Sequence, residues 1–251
     1  VWLKHLPNFR HTLNHLFPVI SEGFTYQPYL EEFGIRSFRH PQEMVIQSIL
    51  AGENPLVLMP TGGGKSLCYQ LPALMYYRRQ WSLTVCISPL QALMADQVAD
   101  LEEMGLDFAT FINGNLTAPE RSQRLEDLRN GQKGLLYISP EQLRSLSMRA
   151  LLKERPPALW VIDEAHCISQ WGHDFRPDYR YIPKFIQQFY SEQQRPTPGV
   201  VLLTATATPQ VQADICQLFQ EQGLAIQRQI TADMVRQNLD YQVIPTPAGD
   251  K

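Results

Sequence analysis

Residues 163 to 180 read Asp-Glu-Ala-His-Cys-Ile-Ser-Gln-Trp-Gly-His-Asp-Phe-Arg-Pro-Asp-Tyr-Arg, joining a carboxylate pair to a run of aromatics and arginines. Adjacent acids at a strand end can divide the work of phosphate chemistry: Asp163 holds the Mg²⁺ of a nucleotide, and Glu164 orients the attacking water. The apolar run Ala158 to Ile162 is short enough for a buried strand. Such a strand delivers both acids to its carboxyl end, where open α/β sheets bind ligands. Two acids after a strand also serve simply to solvate a loop. Downstream, Trp171, Phe175 and Tyr179 fall four positions apart, a spacing that suits one face of a short core helix. Gly172 and Pro177 break helices, however, and Arg176 and Arg180 are costly to bury. An exposed or half-exposed loop is therefore predicted, with aromatics for base stacking and arginines for phosphates.

A receiver for the phosphates lies upstream, at Met59-Pro60-Thr61-Gly62-Gly63-Gly64-Lys65-Ser66. Consecutive glycines let backbone N–H groups close around oxygens, Lys65 adds a point charge at the β and γ phosphates, and the Ser66 hydroxyl reaches Mg²⁺. Pro55 to Met59 reads as the preceding strand, and Ser66 to Tyr77 as a helix whose N-terminus faces the anion. The motif asks for glycine at position 59, where this chain has Met59. A glycine-rich string before a helix is also an ordinary flexible turn. Cradle and strand-terminal Asp-Glu together meet the two-part requirement for nucleoside triphosphate hydrolysis, and their co-occurrence selects that reading.

Strand candidates able to position these residues lie at Leu56 to Met59, Leu83 to Ile87, Phe108 to Ile112, Leu135 to Ile138, Leu159 to Ile162 and Val200 to Leu203. They alternate with helical stretches, which predicts an α/β fold: a parallel β-sheet with helices on both faces. Helix starts are marked by Ser88-Pro89, Thr117-Ala118-Pro119-Glu120, Ser139-Pro140-Glu141 and Thr208-Pro209. The 251 residues, 44% of them apolar, suffice for one large core. A net charge of −3, from 22 basic and 25 acidic residues, excludes a uniformly basic surface, so any nucleic-acid contact must be local. Cys68, Cys86, Cys167 and Cys216 show no C-x-x-C spacing, and no zinc site or disulfide framework is predicted.

In this order the motifs resemble the first motor domain of a RecQ-type DNA helicase of superfamily two, from about residue 29 to residue 243. Phe33-Gly34 with Phe38-Arg39 and Gln42 resembles the opening motif, Met59 to Leu74 motif I, and Ser88-Pro89-Leu90 with Asp96-Gln97-Val98 motif Ia. Tyr137-Ile138-Ser139-Pro140-Glu141 resembles motif Ib, Asp163 to His166 motif II, Gln170 to Arg176 the aromatic-rich loop, and Thr204-Ala205-Thr206-Ala207-Thr208 motif III. The resemblance implies a RecA-like P-loop NTPase domain. It implies that Arg39 and Gln42 recognise adenine, making ATP the nucleotide, although Ile35 stands where some relatives carry a base-stacking aromatic. Thr61, Gly62, Gly63, Gly64, Lys65 and Ser66 would bind the triphosphate, with Ser66 and Asp163 on Mg²⁺. Glu164 would be the general base or water-orienting group, with Lys65 and His166 completing the catalytic set. His166 would sense the γ-phosphate and link it to the Thr204 and Thr206 hydroxyls. Gln170, Trp171, His173, Phe175 and Arg176 would contact DNA and couple it to the ATP site.

For the whole machine, the resemblance implies an ATP-driven motor moving 3′-to-5′ on single-stranded or partly duplex DNA in repair or recombination. An RNA-remodelling helicase shares the Asp-Glu-Ala-His string but is not expected to carry the aromatic-rich loop. A nucleotide-gated scaffold is a third class, disfavoured by the intact Lys65, Asp163 and Glu164. Residues 1–28 read as an N-terminal extension without a legible role, 29–235 as the ATP-binding domain, and 236–251 as a linker into a second RecA-like domain of the same polypeptide. In the family that second domain supplies an arginine finger, so this chain alone is expected to hydrolyse ATP poorly. His11 and His15 share a helical face, but no carboxylate or cysteine completes a metal set. The N-terminal stretch lacks the apolar core of a signal peptide or membrane span, which predicts no membrane partner and a cytoplasmic protein, or a nuclear one in a eukaryote.

Overall fold

A computed structural model describes residues 26–172 and 174–233. Along the chain run α1 (Gln27–Glu32), α2 (Gln42–Leu50), β1 (Pro55–Leu58), α3 (Lys65–Gln80), β2 (Leu83–Ile87), α4 (Gln91–Glu103), β3 (Ala109–Ile112) and α5 (Ala118–Arg129). They are followed by β4 (Leu135–Ile138), α6 (Leu146–Glu154), β5 (Pro157–Ile162), α7 (Pro177–Glu192), β6 (Gly199–Thr204), α8 (Pro209–Glu221) and β7 (Arg228–Thr231). Short 3-10 turns at Pro140–Arg144 and Ala165–Ile168 follow β4 and β5.

The strands form one parallel sheet of seven in the order β3-β4-β2-β5-β6-β1-β7. Its central strands are almost wholly apolar because both faces are covered. β5 shows the sorting. Trp160 and Ile162 enter a core with Tyr179, Ile182 and Phe185 of α7, whereas Leu159 and Val161 enter the opposite core with Leu71 and Leu74 of α3. Helices α5 to α8 pack on the first face and α1 to α4 on the second. Each fully buried aliphatic side chain contributes roughly 1.5–3 kcal/mol, against about 0–1 kcal/mol for an exposed ion pair, so the two cores hold the platform on which the site rests.

β5, β6 and β1 are neighbours in the sheet although they are distant in sequence. From β1 the chain turns into α3 on one face; from β5 and β6 it turns into α7 and α8 on the other. Open α/β sheets bind ligands at such reversals. The register pairs Leu58 with Thr204 and Ile162 with Leu202, so Met59, Asp163 and Thr204 arrive at the same sheet edge.

All six strands read from the sequence form, two of them with the expected bounds and four shifted by a residue or two at one or both ends. β7 was not anticipated, because in Arg-Gln-Ile-Thr only Ile230 is buried; pairing with β1 makes it a strand. Ser139-Pro140-Glu141 starts a 3-10 turn instead of a helix, and α4 begins at Gln91 without a side-chain cap from Ser88. Thr117 and Thr208 do cap, Thr117 in a reciprocal box with Glu120. Residues 171 to 180 are not loop throughout. Pro177 is the first residue of α7, where its missing N–H is harmless, and Tyr179 in the first turn is 0% exposed. Arg180 is half-buried with Asp214 at 3.5 Å. The expected boundary at residue 28 cuts α1, whose Leu30 belongs to the core beneath α3. Residues 1–25 with His11 and His15, the expected linker 236–251, and His173 lie outside the described residues. No described helix is long and apolar enough to cross a membrane.

Candidate active site

Met59, where a glycine was expected, closes the strand instead of opening the turn. Its side chain is buried with its sulfur 3.8 Å from Cys68 Sγ, and its N–H donates to the Thr204 carbonyl at 3.1 Å. Left-handed backbone falls on Gly62 and Gly64, both at φ 78. A Cβ on Gly64 would lie 2.4 Å from Gln42 Nε2, and one on Gly63 2.9 Å from the Pro60 carbonyl oxygen. Lys65 opens α3, and its ammonium donates to the Met59 and Pro60 carbonyls at 3.2 and 3.4 Å. Ser66 follows, half-exposed, and Thr61 and Gly62 are exposed.

Gln42 is no ordinary surface residue, being 4% exposed. Its Oε1 accepts from the Arg39 N–H at 2.8 Å and its Nε2 donates to the Gly64 carbonyl at 3.0 Å, so one amide braces the opening motif against the cradle. Arg39 is exposed and lines a cleft of about 480 Å³ with Phe38, Pro41, Met44 and Gln47, a size that suits a planar base. The Phe38 ring is held edge-on by Tyr26 at 5.0 Å. Gln42 does not line this cleft, although its chain neighbours Pro41 and Glu43 do; beyond its two bonds it retains one N–H and one lone pair.

Asp163 continues the ladder past β5, its N–H donating to the Ile87 carbonyl at 2.9 Å. Burial, and secondarily Glu164, push its carboxyl up to about 6, against the pull of the Glu164 N–H, Lys65 and His166. The oxygen donors of Asp163 and Ser66 suit a hard cation, and a carboxylate destabilised by burial is one that such a cation relieves. These residues fit Mg²⁺. Glu164 stands at φ 48, left-handed backbone that non-glycine residues seldom adopt. Its Oε2 lies 3.2 Å from His166 Nδ1, and that hydrogen bond, with the charges of His166 and Lys65, holds its carboxyl below the usual range against burial.

His166 Nδ1 also lies 2.9 Å from Thr204 Oγ1. The Thr204 hydroxyl donates to the Thr206 carbonyl at 3.0 Å and accepts from the Thr206 N–H at 3.2 Å, an assignment that leaves Nδ1–H shared between Glu164 and Thr204. Two hydroxyls were expected to meet His166. Among the described residues Thr204 supplies one, while Thr206 contributes backbone and keeps its side chain exposed.

The aromatic-rich loop packs directly on this histidine's backbone. A Cβ on Gly172 would come within 2.8 Å of the His166 carbonyl oxygen, and Gly172 N–H donates to the Ser169 carbonyl at 3.0 Å. Gln170 is exposed, Trp171 is 69% exposed, and Phe175 is half-buried. Arg176 is more occupied than a free phosphate ligand. Its Nη1 donates to the Pro89 carbonyl at 3.1 Å, its Nη2 lies 3.3 Å from Asp174 Oδ2, and its N–H donates to the Cys167 carbonyl at 2.9 Å. Arg176 thereby ties the loop to the Ser88-Pro89-Leu90 segment. Cys167, its thiol pushed up to about 12 by burial, donates to Asp174 Oδ2 at 3.6 Å. His166, Cys167 and Asp174 place ligand atoms within 4.8 Å of one another, which sequence spacing did not suggest; all three are engaged in the contacts just described.

The sequence profile of the DEAD/DEAH box helicase family matches residues 39–215, from the opening motif into α8. The chain is 43% identical over 222 residues to the ATP-dependent DNA helicase RecQ of Bacillus subtilis, covering 87% of this chain and 35% of that protein. It is 38% identical over 235 residues to the RecQ-like DNA helicase blm-1 of Caenorhabditis elegans, covering 89% and 22%. The chain belongs to the RecQ family of DEAD/DEAH box helicases. This RecQ-family chain spans about a third or less of the length of these curated relatives. It shares its fold with the crystal structure of the DUF1998 helicase MrfA, at TM-score 0.64 and 19% identity over 85% of this chain and 33% of that one.

Two packing features around the RecQ-family site are not legible in the sequence or run against it: the burial of Gln42, a residue the motif itself names, and the burial of Tyr179 beside the site. The burial of Gln42 depends on Gly64, which no local pattern announces. Tyr179 was placed on the exposed loop, yet a signal was present. Proline at a helix start, followed by Tyr179, Ile182, Phe185, Ile186 and Phe189 at helical spacing, marks a buried face.

Proposed function

We propose that this RecQ-family domain is the ATP-binding half of a DNA helicase motor that couples ATP hydrolysis to 3′-to-5′ movement along a strand. The reading rests above all on one continuous path of contacts from cradle to loop: Met59 N–H to the Thr204 carbonyl, Thr204 Oγ1 to His166 Nδ1, and Gly172 against the His166 carbonyl. Adenine would lie in the cleft at Phe38 and Arg39, with Gln42 relaying its presence to Gly64. The triphosphate would occupy residues 61–66, drawing the Lys65 ammonium from the Met59 and Pro60 carbonyls. Ser66 and Asp163 would hold Mg²⁺, which when bound neutralises charge on the β and γ phosphates. Glu164, kept ionised by His166, accepts a hydrogen bond from the attacking water; a lowered pKa suits orientation more than proton uptake. His166 then registers loss of the γ-phosphate through Thr204 and the loop backbone.

Trp171 supplies the stacking surface for a single strand, a contact worth about 1–3 kcal/mol per base, with Gln170, Phe175 and Arg176 beside it. The loop is what favours DNA over an RNA-remodelling role. A second RecA-like domain of the same polypeptide would complete the site with an arginine finger, worth about 10³–10⁵ in rate, so residues 1–251 alone should turn over ATP slowly. A place in repair or recombination, in the cytoplasm or nucleus, accords with the family. The test is ATP turnover by a chain carrying both motor domains, compared with single-stranded DNA, duplex DNA and RNA. Stimulation by single-stranded DNA is expected. Equal or greater stimulation by RNA would favour the remodelling role, and ATP binding without turnover would favour a scaffold.

A further inference from the structure

The peptide unit between Asp163 and Glu164 is held at both edges. On one, the Glu164 N–H donates to Asp163 Oδ1 at 3.0 Å; on the other, the Asp163 carbonyl accepts from the Tyr179 hydroxyl at 3.0 Å. Glu164 lies at φ 48 and ψ 48, a conformation that persists in a non-glycine residue only when its surroundings over-determine it. A clamped peptide plane is such a determinant. The Tyr179 ring is packed in the core with Ile168 and Ile182, work that phenylalanine would do equally well; the hydroxyl is present for the carbonyl.

Tyr179 also marks where the aromatic-rich loop ends. Its N–H donates to the Arg176 carbonyl at 2.9 Å, and Arg176 in turn holds the Cys167 and Pro89 carbonyls. Arg176 and Tyr179 thus join the end of the loop to the first turn of α7, and Tyr179 in turn joins that turn to the Asp163 carbonyl. We propose that Tyr179 is a positioning residue that transmits the state of the loop at residues 169–176 to the relative aim of the Asp163 and Glu164 carboxylates. When the bond to the Asp163 carbonyl lengthens, the peptide relaxes out of its left-handed turn and the two carboxylates lose register. This route is separate from the His166–Thr204 contact, and it rests on the proposed ATP and DNA sites while using a residue outside both.

The test is thermodynamic coupling in the full chain. The dissociation constant of a fluorescent, non-hydrolysable ATP analogue with Mg²⁺ is measured with and without saturating oligothymidylate, for the wild type and Tyr179→Phe. The wild type is expected to show a coupling ratio of about fivefold or more, and the variant a ratio reduced by about twofold or more, the His166–Thr204 route carrying the remainder, while oligothymidylate alone still binds. A lowered melting temperature with the wild-type ratio intact marks a merely structural hydroxyl and overturns the proposal; so does a wild type that binds both ligands without coupling. A wild type that binds neither ligand overturns the functional reading instead. Should Tyr179→Phe fail to fold, ring-fluorinated tyrosines at 179 keep the hydroxyl and strengthen it as a donor. The ratio should then change progressively with fluorination, and a flat series contradicts the proposal.

Discussion

Asp163 carries a charge where the fold disfavours one. Burial raises its carboxyl from 3.8 to about 6, so between those values the folded state binds the proton that the unfolded chain has released. The resulting stability is complete below the unfolded value and is lost as pH rises through about 6. Asp163→Asn should therefore stabilise the ligand-free chain by about 1–3 kcal/mol near pH 8 and by less near pH 5, read by calorimetric melting at both, while abolishing Mg²⁺-dependent turnover. Equal shifts at the two pH values would remove burial as the cause. The glycines of the cradle give a second test at this scale. Gly62 and Gly64 share φ 78, but only Gly64 would drive a Cβ into Gln42, at 2.4 Å. Alanine at either position costs about 1–2 kcal/mol of backbone strain. Gly64→Ala should lose more in melting temperature and in ATP affinity than Gly62→Ala, and the reverse order would contradict the bracing role of Gln42.

Helix α7 and the loop before it show where local pattern suffices and where it fails. The capping box at Thr117 and Glu120 was readable because every participant lies within one turn, and it forms. Pro177 was misread because proline breaks a helix interior but begins a helix well; the apolar spacing after it carried the answer. β7 was illegible because pairing to β1, not its own composition, makes it a strand. The tie from Arg176 to Pro89 joins segments that are 87 positions apart and leaves no trace in either. As one charge-assisted hydrogen bond to a carbonyl, that tie is worth about 1–2 kcal/mol, and the Asp174 pair adds only a local contact within the loop. Arg176→Ala should raise amide hydrogen exchange across residues 169–176 several-fold and leave the core turns of α7 protected. Unchanged exchange in the loop would mean that Arg176 does not hold it.

At the scale of the whole molecule, the alternation of apolar runs and capped helices was enough to expect a parallel sheet with helices on both faces. The strand order was not legible, since apolar runs identify strands without naming their neighbours. That order matters, because β5, β6 and β1 side by side bring Asp163, Thr204 and the cradle to one edge. Motif spacing named most of the candidate residues, whereas their mutual bonds, such as His166 to Thr204 and Gln42 to Gly64, appear only once the sheet is assembled. On the proposed function, cradle, carboxylate pair and aromatic-rich loop act as one coupled device. Its most direct test is the ratio of ATP turnover with and without single-stranded DNA, measured for the wild type and Trp171→Ala in a chain carrying both motor domains. Strong stimulation is expected in the wild type and a ratio near unity in the variant; a Trp171→Ala protein that single-stranded DNA stimulates as fully as the wild type would contradict this coupling.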